Sequence, residues 1–179
     1  MIRTLLLAAT FFALPAAAQQ RPDVIYVPTP QDVVDDMLRL ADVKKGDILY
    51  DLGSGDGRIA ITAAKRYGIK ATGIDIDPER IREANENAKK AGVTDKVKFM
   101  VGDLFKADFG EASVVTLYLL PQVNVQLRPQ LWRQLKVGTR VVSHNYDMGP
   151  EWPPEKTESM DGRVIYYWTI KEAQKKAAK

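Results

Sequence analysis

The chain has 179 residues, 45% of them hydrophobic and 27% charged, with a net charge of +3, one histidine and no cysteine. That length supports one domain with a real core; no disulfide can contribute to it, and one His without Cys leaves little from which to build a zinc site. Much of the positive excess sits in the tail at Lys171, Lys175, Lys176 and Lys179, which reads as a solvated helix end, and with no basic run interleaved with aromatics elsewhere, a nucleic-acid partner is not expected.

In chain order, residues 1–18 read as a targeting segment. Arg3 gives a short positive region, residues 4–14 an apolar run, and Ala16-Ala17-Ala18 a cleavage site. The apolar run is too short to span a bilayer comfortably. The expectation is a signal peptide cleaved after Ala18, leaving residues 19–179 as one periplasmic or secreted domain, monomeric and without a membrane span. The alternative is a cytoplasmic chain, or one anchored by an uncleaved N-terminus.

Residues 19–28 form a polar, proline-bearing lead-in. Thr29-Pro30 reads as a helix N-cap followed by Pro at the first helical position. Val33, Val34, Met37, Leu38 and Ala41 make a helical stripe. Gly46 turns the chain into a first strand over 47–52, and a helix over 58–67 ends at Gly68. A second strand covers 71–76. Asp77-Pro78 opens a helix with Ile81, Ala84, Ala88 and Ala91 on one face and Gly92 behind it. The third strand covers 97–101 and a fourth, fully buried in type, 113–119. A short helix is predicted over 129–135, ending near Gly138, and a fifth strand over 139–145. Asp161-Gly162 is a hairpin turn signal between a strand near 156–160 and one over 163–170, where Tyr166, Tyr167 and Trp168 suit a sheet. Strands alternating with helices imply a parallel sheet with right-handed crossovers, to which the hairpin adds an antiparallel strand.

The most specific stretch is 47–57, Asp-Ile-Leu-Tyr-Asp-Leu-Gly-Ser-Gly-Asp-Gly. An apolar strand runs into Asp51 and then into Gly53, Gly55 and Gly57, directly before a helix. Glycines so spaced let the backbone turn tightly and come close to a ligand, and the helix N-terminus offers free N–H groups. Asp51 would repel a pyrophosphate but suits a cationic or amine-bearing ligand. A nicotinamide fingerprint, G-x-G-x-x-G, needs glycine at 58, where this chain has Arg, so a nicotinamide oxidoreductase is disfavoured.

This pattern resembles motif I of the class I S-adenosylmethionine (SAM) methyltransferases. Tyr26-Val27-Pro28-Thr29 ahead of a helix, together with Asp-Leu-Gly-Ser-Gly-Asp-Gly-Arg at 51–58, is similar to the small lysine methyltransferases that modify the ATP-synthase c subunit and the adenine nucleotide translocase. The resemblance implies an α/β fold: a doubly wound, Rossmann-like methyltransferase sheet of about seven strands with the last antiparallel. It implies SAM as cofactor, with Asp51, Gly53, Ser54, Gly55 and Gly57 around the methionine portion. Asp75 would take the ribose hydroxyls, and Asp103 with Leu104 the adenine. Asp77 is the rival for the ribose but reads better as an N-cap. On the acceptor side it points to Tyr26, Tyr118, His144 and Asn145. Strand four ends Tyr118-Leu119-Leu120-Pro121 without the Asn/Asp-Pro-Pro-Tyr/Phe motif of enzymes that methylate base amino groups. The expected reaction is methyl transfer to an amine, either a protein lysine or a small molecule. A module that binds SAM or a nucleoside without turnover is the alternative class.

Overall fold

A computed structural model describes residues 26–178; the expected signal peptide lies outside them. The elements are α1 (Gln31–Leu40), β1 (Ile48–Leu52), α2 (Arg58–Tyr67), β2 (Lys70–Asp75), α3 (Pro78–Ala91), β3 (Val97–Val101), β4 (Val114–Leu117), α4 (Pro121–Gln134), β5 (Arg140–His144), β6 (Lys156–Met160), β7 (Arg163–Thr169) and α5 (Glu172–Ala177). They form a seven-stranded sheet in the order β3-β2-β1-β4-β5-β7-β6. β1 to β5 pair in parallel, and β7 runs antiparallel to both β5 and β6. The order reverses between β1 and β4, so the carboxyl ends of these two strands flank a crevice.

The central strands carry nearly unbroken apolar runs because both faces are covered; every residue of β4 is buried. On one face α1, α2 and α3 bury Val34, Met37, Leu38, Ala60 and Ala84 against the sheet. On the other, α4 packs Leu127, Leu131 and Trp132 with Phe109, Trp152 and Trp168. Trp168 is fully buried, and its indole N–H donates to the Trp152 carbonyl at 2.8 Å, so it contributes apolar burial without an orphaned polar group. Among the described residues no helix is long and apolar enough to cross a membrane.

Two local expectations are corrected. The helix expected over 129–135 begins eight residues earlier, at Pro121, and runs through Pro129. Pro129 removes the donor for the Val125 carbonyl, a break that costs about 3 kcal/mol in a helix interior. The helix persists because Val123, Asn124, Leu127, Arg128, Leu131 and Trp132 are all buried along it, and packing overrides local propensity. Thr29, expected to cap α1, makes no capping bond; Pro30 holds the cap position, and the Thr29 hydroxyl lies 3.3 Å from His144 Nδ1. Asp77 does cap its helix, accepting from Glu79 N–H at 2.9 Å.

Candidate active site

Parallel register places Asp51 of β1 between Gly73 of β2 and Thr116 of β4. Thr116 donates its hydroxyl to Asp51 Oδ1 at 2.8 Å, while Asp51 Oδ2 is buried with no partner among the described residues. Burial, with the nearby charges of Asp75 and Asp56, pushes the Asp51 carboxyl up to about 7. Beyond β1, the Gly53 and Ser54 N–H groups both donate to the Ile74 carbonyl at 2.8 and 3.0 Å, folding the loop down onto the end of β2. Gly53, at φ +82°, adopts a conformation that L side chains rarely take, and a Cβ there would come within 2.5 Å of Leu119 Cδ2. Gly55, at φ +51°, lies directly under the Tyr26 ring.

Asp75, at the end of β2, accepts from Gly55 N–H at 2.9 Å and from Asp77 N–H at 3.0 Å. Each oxygen keeps further acceptor capacity. Asp103 follows β3, accepts from Phe105 N–H at 2.9 Å and sits 3.2 Å from Lys106 Nζ. The α2 N-terminus is organised by Asp56, which pairs with the Arg58 guanidinium at 2.6 Å. Burial raises the Asp56 carboxyl, and the Arg58 bonds more than reverse this, leaving it below the usual range. Arg58 also donates to the Thr29 carbonyl at 2.9 Å, tying segment 26–30 over the glycine loop. The Tyr26 ring is covered by the Arg80 guanidinium, 4.8 Å from its centroid. Burial and the Asp56 charge raise the Tyr26 phenol above its usual value, so it stays protonated at neutral pH.

These groups surround one cavity of about 820 Å³, within the range of small-ligand sites. It brings together Tyr26, Asp51, Gly53, Ser54, Gly55, Asp75, Asp103, Leu104 and Tyr118. Gly57 is not in its wall; a Cβ there would meet Ala84 and Phe99, so this glycine seats α2 against α3 and β3. His144 also stands outside. Its ring lies behind Tyr118, with centroids 4.0 Å apart, and its Nε2 is buried without a partner among the described residues. Burial and then the Arg163 charge lower its pKa to about 4, so at neutral pH it is an uncharged support and a weak base. Asn145 does not reach the cavity either; it turns the chain at φ +62° and accepts from Val164 N–H at 3.0 Å.

The sequence reading missed Arg58, Arg80 and Tyr146, which all line the cavity. In the sequence Arg58 replaces a nicotinamide glycine and closes the 51–58 resemblance, neither of which gives it a place in the site. Tyr146 had a signal: Asn tolerates the left-handed conformation, so Asn145 at a strand end announces a turn that redirects the next side chain.

Residues 51–156 match the family described as the ANTKMT methyltransferase domain. The chain belongs to this family. The methyltransferase is 48% identical over 155 residues to the protein-lysine N-methyltransferase of Saccharolobus islandicus (strain REY15A), covering 84% of this chain and 96% of that protein. It is 34% identical over 154 residues to the adenine nucleotide translocase lysine N-methyltransferase of Mus musculus, covering 86% of this chain but 64% of that longer protein. Among solved structures it is similar to an RNA methyltransferase from Salinibacter ruber in complex with S-adenosyl-L-homocysteine (SAH). That likeness has 59% identity and a TM-score of 0.80, and it covers 82% of this chain and 95% of that one. The chain is thus a class I, SAM-dependent methyltransferase with the Rossmann-like sheet that the sequence implied.

The residues present fit SAM. The unpartnered Asp51 Oδ2 and Ser54 Oγ are what an ammonium-bearing ligand would satisfy, and Asp75 and Asp103 stand along the same wall. Asp51, Asp56, Asp75, Asp77 and Asp103 outnumber Arg58 and Arg80 around the cavity, which favours a cationic guest.

Proposed function

We propose that the enzyme methylates the side-chain amine of a protein lysine. The observation that carries this reading is the 48% identity to a protein-lysine N-methyltransferase across nearly that protein's whole length. The Salinibacter ruber relative, described as an RNA methyltransferase, makes RNA the second acceptor class to test. Acidic walls oppose a phosphate backbone, and strand four lacks the motif of base-amino methylation.

In this reading Asp51, Ser54 and the glycine loop hold the methionine portion of SAM, Asp75 the ribose, and Asp103 with Leu104 the adenine. SAM supplies an electrophilic methyl group on a sulfonium. The chain's own part is to align the acceptor, exclude water and let the proton leave. A lysine ammonium has no lone pair and must deprotonate before its nitrogen can bond the methyl carbon as the carbon–sulfur bond breaks. Desolvation beside Tyr26 and Tyr118, next to the sulfonium charge, lowers the amine pKa. His144, neutral and screened by Tyr118, leaves the proton to solvent at the cavity mouth.

The test is labelled SAM with purified enzyme and an extract of the same cells, separated into protein, RNA and small molecules. Label in protein, mapped to lysine, supports the reading. Label confined to RNA or small molecules overturns it, and tight SAM binding with no label in any fraction leaves a non-catalytic module. We further propose export by residues 1–18 to the periplasm or exterior, with Gln19 as the mature N-terminus. A fusion of residues 1–25 to a reporter active only outside the cytoplasm should give activity; silence, with Met1 intact on the natural protein, would place the enzyme in the cytoplasm.

A further inference from the structure

Two of the residues that line the cavity are Tyr118 after β4 and Tyr146 after β5. The two rings are nearly parallel, 18° between planes and 6.3 Å between centroids. Behind Tyr118 the His144 ring fixes its position. The Tyr146 turn is held through its backbone. Asn124 of α4, with no exposed surface, points its amide into the turn and donates to the Tyr146 carbonyl at 3.0 Å, and it lies 3.3 Å from the Asp147 carbonyl and 3.2 Å from Ser143 Oγ. One turn along α4, Arg128 donates to the Met148 carbonyl at 2.7 Å. From the other side Asn145, in the left-handed conformation, is bonded to β7 through both its backbone and its side chain. A buried amide spent on two successive carbonyls of an irregular segment fixes that segment's path, and here the path delivers one ring to the cavity.

We propose that Tyr146 is a specificity-determining residue, forming with Tyr118 a two-ring face that receives the alkylammonium of the acceptor, and that Asn124 is the positioning residue that holds it there. The inference rests on the amine-acceptor reading and deepens it. An aromatic face attracts a cation through the ring quadrupole and more strongly once water is excluded, while its breadth covers the alkyl stem that follows. It also selects against a phosphate or a carboxylate at the same place, because the negative face of a ring repels anions. The α4 helix acquires a role in recognition by this route: Asn124 touches no substrate yet sets where the acceptor lies.

The experiment uses the SAH-loaded protein and a probe that cannot react, butyltrimethylammonium, titrated by calorimetry. The wild type should bind it. Tyr146→Ala should weaken binding about tenfold and Tyr146→Phe should retain it, since the ring and not the hydroxyl is the host. SAH affinity should stay unchanged in both. Asn124→Ala should raise KM for the amine acceptor with kcat within about threefold of wild type, as expected when a binding face is misplaced. If Asn124→Ala does not fold, the Tyr146 variants decide alone. A wild type that ignores the cation, or a Tyr146→Ala variant that binds it equally well, overturns the proposal. Cation binding lost in Tyr146→Ala while label from SAM enters only small molecules would overturn the lysine reading and leave the two-ring face standing.

Discussion

A buried carboxylate with one oxygen bonded to Thr116 and the other unpartnered is a poor anion and a good host for a cation, and this gives Asp51 a measurable signature. Its pKa of about 7 in the cofactor-free protein stands against 3.8 for the ordinary side chain. Between those values the folded chain holds a proton that the unfolded chain has released. The group's contribution to stability is therefore present below about pH 4 and lost as pH rises through 7. Asp51→Asn removes that loss. The stability of the variant relative to wild type should grow from pH 5 to pH 8, by about 3 kcal/mol, in thermal melts without cofactor; a constant offset would mean that Asp51 is ionised throughout. His144 runs the other way. Its pKa of about 4 against 6.5 contributes stability above pH 6.5 that is lost as pH falls through 4, so the two groups oppose each other in wild type. Asp75 tests the cofactor end of the site. Asp75→Ala removes an acceptor from a half-buried cluster and releases the Gly55 and Asp77 N–H groups it holds. SAH binding should weaken by about 1–3 kcal/mol by calorimetry.

At the scale of elements, the helix that the sequence hid is α4. Residues 121–128 alternate polar and apolar, Pro-Gln-Val-Asn-Val-Gln-Leu-Arg, and Pro129 in the middle reads as a helix start. Only tertiary contact makes it one helix, through the buried Asn124 and Arg128, whose partners lie about 20 residues away in the chain. The other elements were legible because each carries its own punctuation: Asp77 and Pro78 before α3, Gly68 and Gly92 after α2 and α3, Asp161-Gly162 between β6 and β7. The strained interior of α4 gives a prediction. Pro129 is exposed, so Pro129→Ala sacrifices little packing and restores a donor to the Val125 carbonyl. The gain of up to about 3 kcal/mol is partly offset by the looser unfolded chain, and a net stabilisation of about 1 kcal/mol should appear in denaturant melts. At its far end α4 is closed by Lys175, whose ammonium donates to the Trp132, Arg133 and Leu135 carbonyls at 2.8, 2.7 and 2.8 Å. A cation at a helix C-terminus is favourable. Lys175→Met should cost about 1 kcal/mol in the same measurement, and a neutral result would mean that water closes the helix equally well.

For the whole molecule, the strand order decides where a ligand can act. β2 and β3 supply Asp75 and Asp103, β4 and β5 lead into Tyr118 and Tyr146, and β1 supplies Asp51 at the seam. The residues expected around the cofactor fall within short motifs, and all of them except Gly57 line the one cavity described. The residues expected near the acceptor were only half legible, because their placement depends on which strand end faces which: His144 and Asn145 stand outside the cavity, while the residue after them lines it. A ligand at the seam contacts both halves of the sheet, so it should stabilise the fold as one unit. A ligand that binds only the native state at about 100 times its Kd adds about 2.7 kcal/mol, and for a domain of this size each 1 kcal/mol raises Tm by about 2–4 °C. SAH at that concentration should therefore raise Tm by roughly 5–10 °C in a single transition, and NAD at the same concentration should not move it. Gly55→Val should abolish the SAH shift, because φ +51° disfavours a branched side chain and the Tyr26 ring already occupies the space above Gly55. Two separate transitions, with SAH moving only one, would show that the halves of the sheet unfold independently and that the ligand does not bridge them.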